Sequence, residues 1–243
     1  MLASHCSAIA YGHRIRGLPD PTADFRVRKI LAGARRLRPS WDSRTALTVP
    51  ELDRISQAVG HIGLPRVDVA AYRAVFALAF FAMLRPGEVM LGGEPRHTIR
   101  MRHVVLQPDR LSLTLPSSKT SSSPFHTELV ARPDLISCPV GAVREYLRLR
   151  PAGERDDYFF VSHRARPLRT RSLAHIMRQA GRAAGLDSSR LTGHCFRIGG
   201  ATYGAQAGMS DLQLREAGRW SSSAVRRYLR RPGSLLQLGS GSH

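Results

Sequence analysis

The sequence predicts a mixed α/β chain that is mostly helical and carries one small antiparallel sheet. Three observations support this. The run "AVFALAFFAML" at 74–84 is apolar on nearly every face, as a central buried helix is. A period of two appears in one region only, "HVVLQPDRLSLTL" and "FHTELVA" between 103 and 131. Hydrophobic residues make up 42% of the 243 residues, enough for a real core and too many for a disordered chain.

Taken in order, residues 1–45 read as short helical pieces broken by "GLPDPTADF", with a basic run "RKILAGARRLRPSWDSR". That segment is too short to bury much core by itself. "TVPE" at 48–51 forms a capping box, with Thr48 as cap and Glu51 reaching back, and opens a helix that ends near Gly60. Asp68 is expected to cap the central helix. That helix should stop at Arg85-Pro86, because proline disfavours helix in the residue before it. Pro86 suits the first position of a new short helix. A small meander follows, with a turn at "QPDR" and the alternation Leu111, Leu113, Leu115. "SSKTSSSP" interrupts it and places Lys119 on the second hairpin. Helices are expected at 139–149, at roughly 171–184 and from 193 onward. Gly208 should end the helix that begins near 193. Ser210, with Gln213 in the capping-box position, should open another that Gly218 ends. After Trp220 and a Ser-rich stretch, a last short helix carries Tyr228 among Arg226, Arg227, Arg230 and Arg231. A flexible tail over 232–243 completes the chain, and no internal repeat is visible.

The net charge of +19 and the pI near 11.4 favour a polyanionic partner, of which nucleic acid is the commonest. Lys29 and Lys119 are the only lysines, so arginine supplies nearly all the positive charge, and its planar fork suits phosphate. A GC-rich coding sequence would also raise arginine over lysine, but would not set the size of the net charge. Cys6, Cys138 and Cys195 are scattered without a C-x-x-C spacing, which argues against a zinc site or a disulfide framework. The longest apolar run is too short to span a bilayer, and the N-terminus lacks the apolar region of a signal peptide. A nuclear or cytoplasmic location is expected.

The stretch 193–231 holds the residues that suggest chemistry. His194 and Arg197 are three apart at the start of a helix, so they share a face near its positive end. Trp220 and Tyr228 follow. Singly, each has an ordinary explanation: a solvated face, a core indole, an amphipathic Tyr, a solubilising Lys. Arg85 is less ordinary, since it follows a buried helix and points a charge at the interior edge.

Together, the ordered series Arg85, Lys119, His194-x-x-Arg197, Trp220, Tyr228 resembles the active-site set of the tyrosine recombinases, the phage-integrase family. "AMLRPGEV" resembles that family's first-arginine motif, in which an acidic residue (here Glu88) stands three positions on and would hold the arginine. "GHCFRIGGAT" is similar to its H-x-x-R helix, and "AGRWSSSAVRRYLR" to its final His-or-Trp and nucleophilic Tyr. Most members carry His where Trp220 stands, and some carry Trp. "GLPDPT", "HCFRIGGAT" and "GRWSSSAVRRYLRRP" are most like the recombinases of eukaryotic mobile elements of the Crypton and DIRS/Ngaro types.

The resemblance implies a recombinase catalytic domain over 46–231. It also implies that 1–45 is a truncated remnant of the helical core-binding domain. Tyr228 would attack the scissile phosphate of double-stranded DNA to give a 3′-phosphotyrosyl link. Arg85 and Arg197 would clamp the non-bridging oxygens, with His194 and Trp220 adding hydrogen bonds. Lys119 would protonate the leaving 5′ oxygen. No metal or cofactor is needed, and the working assembly would be a homotetramer on DNA. A catalytically idle DNA-binding relic and an enzyme resembling type IB topoisomerases are the alternatives.

Overall fold

The computed structural model describes residues 2–37, 46–117 and 123–220. The chain divides into two compact units, Met1–Ser43 and Arg44–His243.

In the first unit, α1 (Leu2–Arg14) and α2 (Phe25–Leu37) are separated by the proline-rich break. The break is a built turn. Gly17 takes the left-handed φ of 68°, which only glycine adopts cheaply. Asp20 accepts from the backbone N–H and the hydroxyl of Thr22 at 2.9 and 2.7 Å, and from Arg14 at 2.8 Å.

The second unit begins with α3 (Val49–Ala58), which has the expected capping box: Glu51 accepts from the Thr48 N–H at 2.8 Å, and the Glu51 N–H donates to Thr48 Oγ1 at 3.4 Å. At its centre lies α4 (Arg66–Phe81), buried from Ala70 to Phe80 except at Arg73. Each fully buried Phe there contributes roughly 1.5–3 kcal/mol of hydrophobic stabilisation. α4 packs against α6 (Pro139–Leu149) and α8 (Gly193–Gln206). The α4–α8 approach is unusually close. A Cβ on Gly199 would overlap the Leu47 carbonyl, and one on Gly200 would overlap that of Phe80. The rings of Phe76 and Phe196 stack at 5.0 Å beside this contact.

Two expectations about α4 are corrected. Asp68 does not cap it: the helix starts at Arg66 with Pro65 before it. Asp68 instead takes the His163 N–H and Nδ1 at 2.7 and 2.8 Å, tying α4 to a distant loop. The helix also ends at Phe81, short of Arg85. Met83 adopts a φ of 49°, so the chain turns out of the helix before the proline can act.

Pro86 does open a short helix, α5 (Pro86–Val89). The meander is β1 (Val104–Leu106), β2 (Arg110–Leu115) and β3 (Phe125–Val130), antiparallel in that order. Its register sets Val104 opposite Leu113, and Leu113 opposite Thr127. Leu111, Leu113 and Leu115 all point into the core, as their alternation requires. The stretch between α5 and β1 is pinned to the chain leading into α7 (Thr170–Ala183): the Leu91 N–H donates to Leu168, and that of Thr170 to Leu91. The last described helix is α9 (Asp211–Gly218), capped by Ser210 with Gln213 reaching back at 2.8 Å.

Candidate active site

The site is built where the end of α4 meets the end of α9. Arg85 stands just before α5. Its backbone N–H donates to Glu88 Oε2 and its Nη1 to Oε1, both at 2.8 Å. Glu88, only 4% exposed, is thus the ion-pair partner that the family resemblance implies. The arginine side chain stays 27% exposed and lines a cavity together with Glu88.

Arg197 lies on α8 and is 2% exposed. Its Nη1 donates to the Met83 carbonyl and its Nη2 to that of Gly218. The guanidinium carbon sits 4.4 Å from the centroid of the Trp220 ring, a cation–π contact. Arg197 is therefore enclosed by the two carbonyls and the indole. Trp220 closes a small apolar cluster with Met83, Ala201 and Leu214. Its ring fills the space beside Gly218, where any Cβ would overlap it.

His194 is exposed on the first turn of α8. The turn is placed by Gly193, where a Cβ would come 2.7 Å from Pro86 Cγ. The turn that carries His194 thus begins against Pro86, the residue that follows Arg85. Thr192 and Cys195 close the cap: the Thr192 N–H donates to Cys195 Sγ at 3.3 Å.

Lys119 and Tyr228 lie outside the described residues. The base of the Lys119 loop is described, and it leads to the same place. Ser117 Oγ is 2.5 Å from His97 Nδ1, and His97 lines a cavity of about 400 Å³ together with Arg85, Gly87, Glu88, Glu94 and Arg96.

One residue of the site escapes the sequence reading. Arg219 occupies the left-handed position after α9, at a φ of 55°. Its Nη2 donates to Glu88 Oε2 at 2.8 Å and to the Met83 carbonyl at 3.2 Å. Its guanidinium carbon lies 5.0 Å from the Phe125 ring centroid. Burial pushes its pKa down, the neighbouring Glu88 pushes it up, and Arg85 pushes it down again. The only signal in the sequence is "GRW", an arginine between a helix-ending glycine and an indole, and it is lost among the other arginines.

Two guanidiniums on one buried carboxylate, with a third beside them, leave the cluster with more positive than negative charge. Among the described residues, no group of three or more His, Cys, Asp or Glu could hold a metal ion. No described helix is long and apolar enough to cross a membrane.

The profile of the phage integrase family matches residues 47–232, and the chain belongs to that family. Solved structures with this fold include the XerH site-specific recombinase bound to difH substrate, at 18% identity and a TM-score of 0.59. That match covers 77% of this chain and 50% of the other. The XerA recombinase matches at 20% identity and a TM-score of 0.59, over 97% of this chain and 79% of its own. A lambda integrase dimer bound to a COC′ core site matches at 20% and 0.54, over 78% and 49%. This chain thus spans about half the length of the XerH and lambda integrase chains. No curated protein sequence matches it.

Proposed function

We propose that this chain cleaves and rejoins DNA strands in site-specific recombination, through a covalent link between Tyr228 and a 3′-phosphate. The observation that carries the reading is a connected cluster from separate segments: Arg85 and Arg219 share the Glu88 carboxylate, Arg219 and Arg197 share the Met83 carbonyl, and Arg197 also donates to the Gly218 carbonyl and lies against the Trp220 ring. Such a cluster stabilises the charge that grows on the non-bridging oxygens as the phosphorus is attacked. In the reaction, the bond from Tyr228 Oη to phosphorus forms as the bond from phosphorus to the 5′ oxygen breaks. The phenol's proton passes to solvent, and Lys119 delivers one to the 5′ oxygen and regains it from solvent, so protons and charge balance. The phenolate is a good leaving group in reverse, which keeps the strand ready to rejoin.

On this reading the substrate is double-stranded DNA and the working assembly a homotetramer on it. The wording of "GRWSSSAVRRYLRRP" supports a source in a Crypton or DIRS/Ngaro-type mobile element.

The test uses a pool of nicked duplexes of randomised sequence, labelled so that cleavage releases a short strand and traps the protein. The wild-type chain should give an adduct stable to detergent, and Tyr228→Phe should give none while still binding duplex. An adduct from the Phe variant would overturn the assignment. Paired-site rejoining, set against plasmid relaxation, separates recombination from topoisomerase action.

A further inference from the structure

The observation left over is Arg219. Helices most often place glycine at the left-handed position after their last turn, because a side chain there costs about 1–2 kcal/mol. Here an arginine holds it, and the side chain is turned inward until 9% of it is exposed. Its Nε is buried without an acceptor. Such a placement is costly unless the residue's charge is needed where it lies.

Glu88 needs that charge. It is buried, and its first cation, Arg85, is the residue proposed to serve the phosphate. If Arg85 turned its fork to a non-bridging oxygen, a carboxylate balanced by Arg85 alone would be stranded and would pull it back. Arg219 holds Oε2 independently, and so does the Arg85 backbone N–H. Arg219 also shares the Met83 carbonyl with Arg197 and covers Phe125, the first residue of the strand after the Lys119 loop. A single side chain therefore touches the supports of Arg85 and Arg197 and the root of the loop that carries Lys119.

We propose that Arg219 is a positioning residue that keeps Glu88 charge-balanced, so that Arg85 can engage the scissile phosphate. The inference rests on the recombinase reading above.

The experiment measures single-turnover adduct formation on a nicked duplex captured from the random pool, at saturating protein, alongside duplex affinity and melting temperature. The proteins are wild type, Arg219→Met, Arg219→Lys, Glu88→Gln and the double variant Glu88→Gln with Arg219→Met. Arg219→Met should slow adduct formation by about tenfold or more, with affinity for the duplex within about threefold of wild type. In the Glu88→Gln background the same substitution should cost little, because the charge it balances is gone. Arg219→Lys should keep most of the rate, since it restores the charge without the fork. An unchanged rate in Arg219→Met, or an equal loss in both backgrounds, overturns the inference. Should Arg219→Met fail to fold, Arg219→Lys decides: a rate near wild type supports charge balance, and a loss above about tenfold overturns it. No adduct from the wild-type chain on any duplex would instead overturn the recombinase reading, and this inference with it.

Discussion

The Trp220 ring lies against the Arg197 guanidinium at 4.4 Å and fills the space beside Gly218 that a side chain would need. The Gly218 carbonyl in turn accepts from Arg197, so glycine, indole and arginine form one closed unit. Gly218→Ala is expected to force the ring away, at roughly 1–3 kcal/mol for overpacking. Adduct formation should fall with it, since the displaced indole no longer backs the arginine. Thermal melting and adduct yield check this, and a variant with wild-type values on both would show that the unit can relax.

Tyr146 tests the core away from the chemistry. Its hydroxyl donates to the Phe159 carbonyl at 2.9 Å and accepts from the Val161 N–H at 2.8 Å, fully buried. Tyr146→Phe would leave the Val161 N–H without its partner, a loss of about 1–3 kcal/mol. Burial also pushes the phenol's pKa up to about 12. The unfolded chain therefore ionises first, near the ordinary value of 10. The stability tied to this group is complete below pH 10 and is lost as the pH rises toward 12. The Phe variant should show a lower melting temperature at neutral pH and a shallower alkaline decline. Equal alkaline slopes in the two proteins would refute the assignment.

Periodicity and capping made much of this fold legible. "TVPE" and Ser210 with Gln213 cap as their spacing requires, and Leu111, Leu113 and Leu115 alternate inward because strands repeat every two residues. The failures occur where tertiary contacts override local rules. Asp68 looks like a cap but holds His163, 95 residues away. The central helix ends at Phe81, just before a left-handed Met83, which no proline announces. In the site, the pairing of Arg85 with Glu88 is legible because "AMLRPGEV" resembles the family's first-arginine motif, and the two residues stand only three apart. The second cation on Glu88 is not, because it arrives 131 residues later in sequence. The burial of Arg197 follows from the close approach of α8 to α4 and from the Gly218–Trp220 cover, none of which has a local signature.

The role proposed for Lys119 has a chemical signature. Proton delivery by a side chain typically contributes ~10²–10⁴-fold, so Lys119→Ala should slow cleavage of ordinary DNA by about that factor. A substrate with sulfur at the bridging 5′ position leaves without much protonation and should recover most of the lost rate. Equal losses on the two substrates would make Lys119 a binding residue only.

Metal independence follows from the donor set. Guanidinium, ammonium and indole N–H groups donate only and offer a metal no lone pair, and Glu88, the carboxylate among them, is taken up by Arg85 and Arg219. Cleavage should therefore persist in EDTA. Loss of cleavage that magnesium restores would point to a different nuclease chemistry.

DNA binding by this chain should depend steeply on salt. The net charge is +19, and part of it is concentrated on the loop leading into α7. Arg166, Arg169 and Arg171 line a cleft there with Tyr72 and Leu168, and all three arginines are exposed. Exposed guanidiniums on a duplex act mainly by displacing counterions from phosphates. Each phosphate neutralised adds about −0.9 to the slope of log affinity against log salt. Replacing all three by alanine should make the slope shallower by up to three times 0.9, or about 2.7, if each meets one phosphate. Backbone contacts carry no base information, so the loss should be similar on unrelated duplexes. A salt titration on two random sequences measures both quantities. An unchanged slope would place these arginines off the DNA, and a loss confined to one sequence would make them base readers.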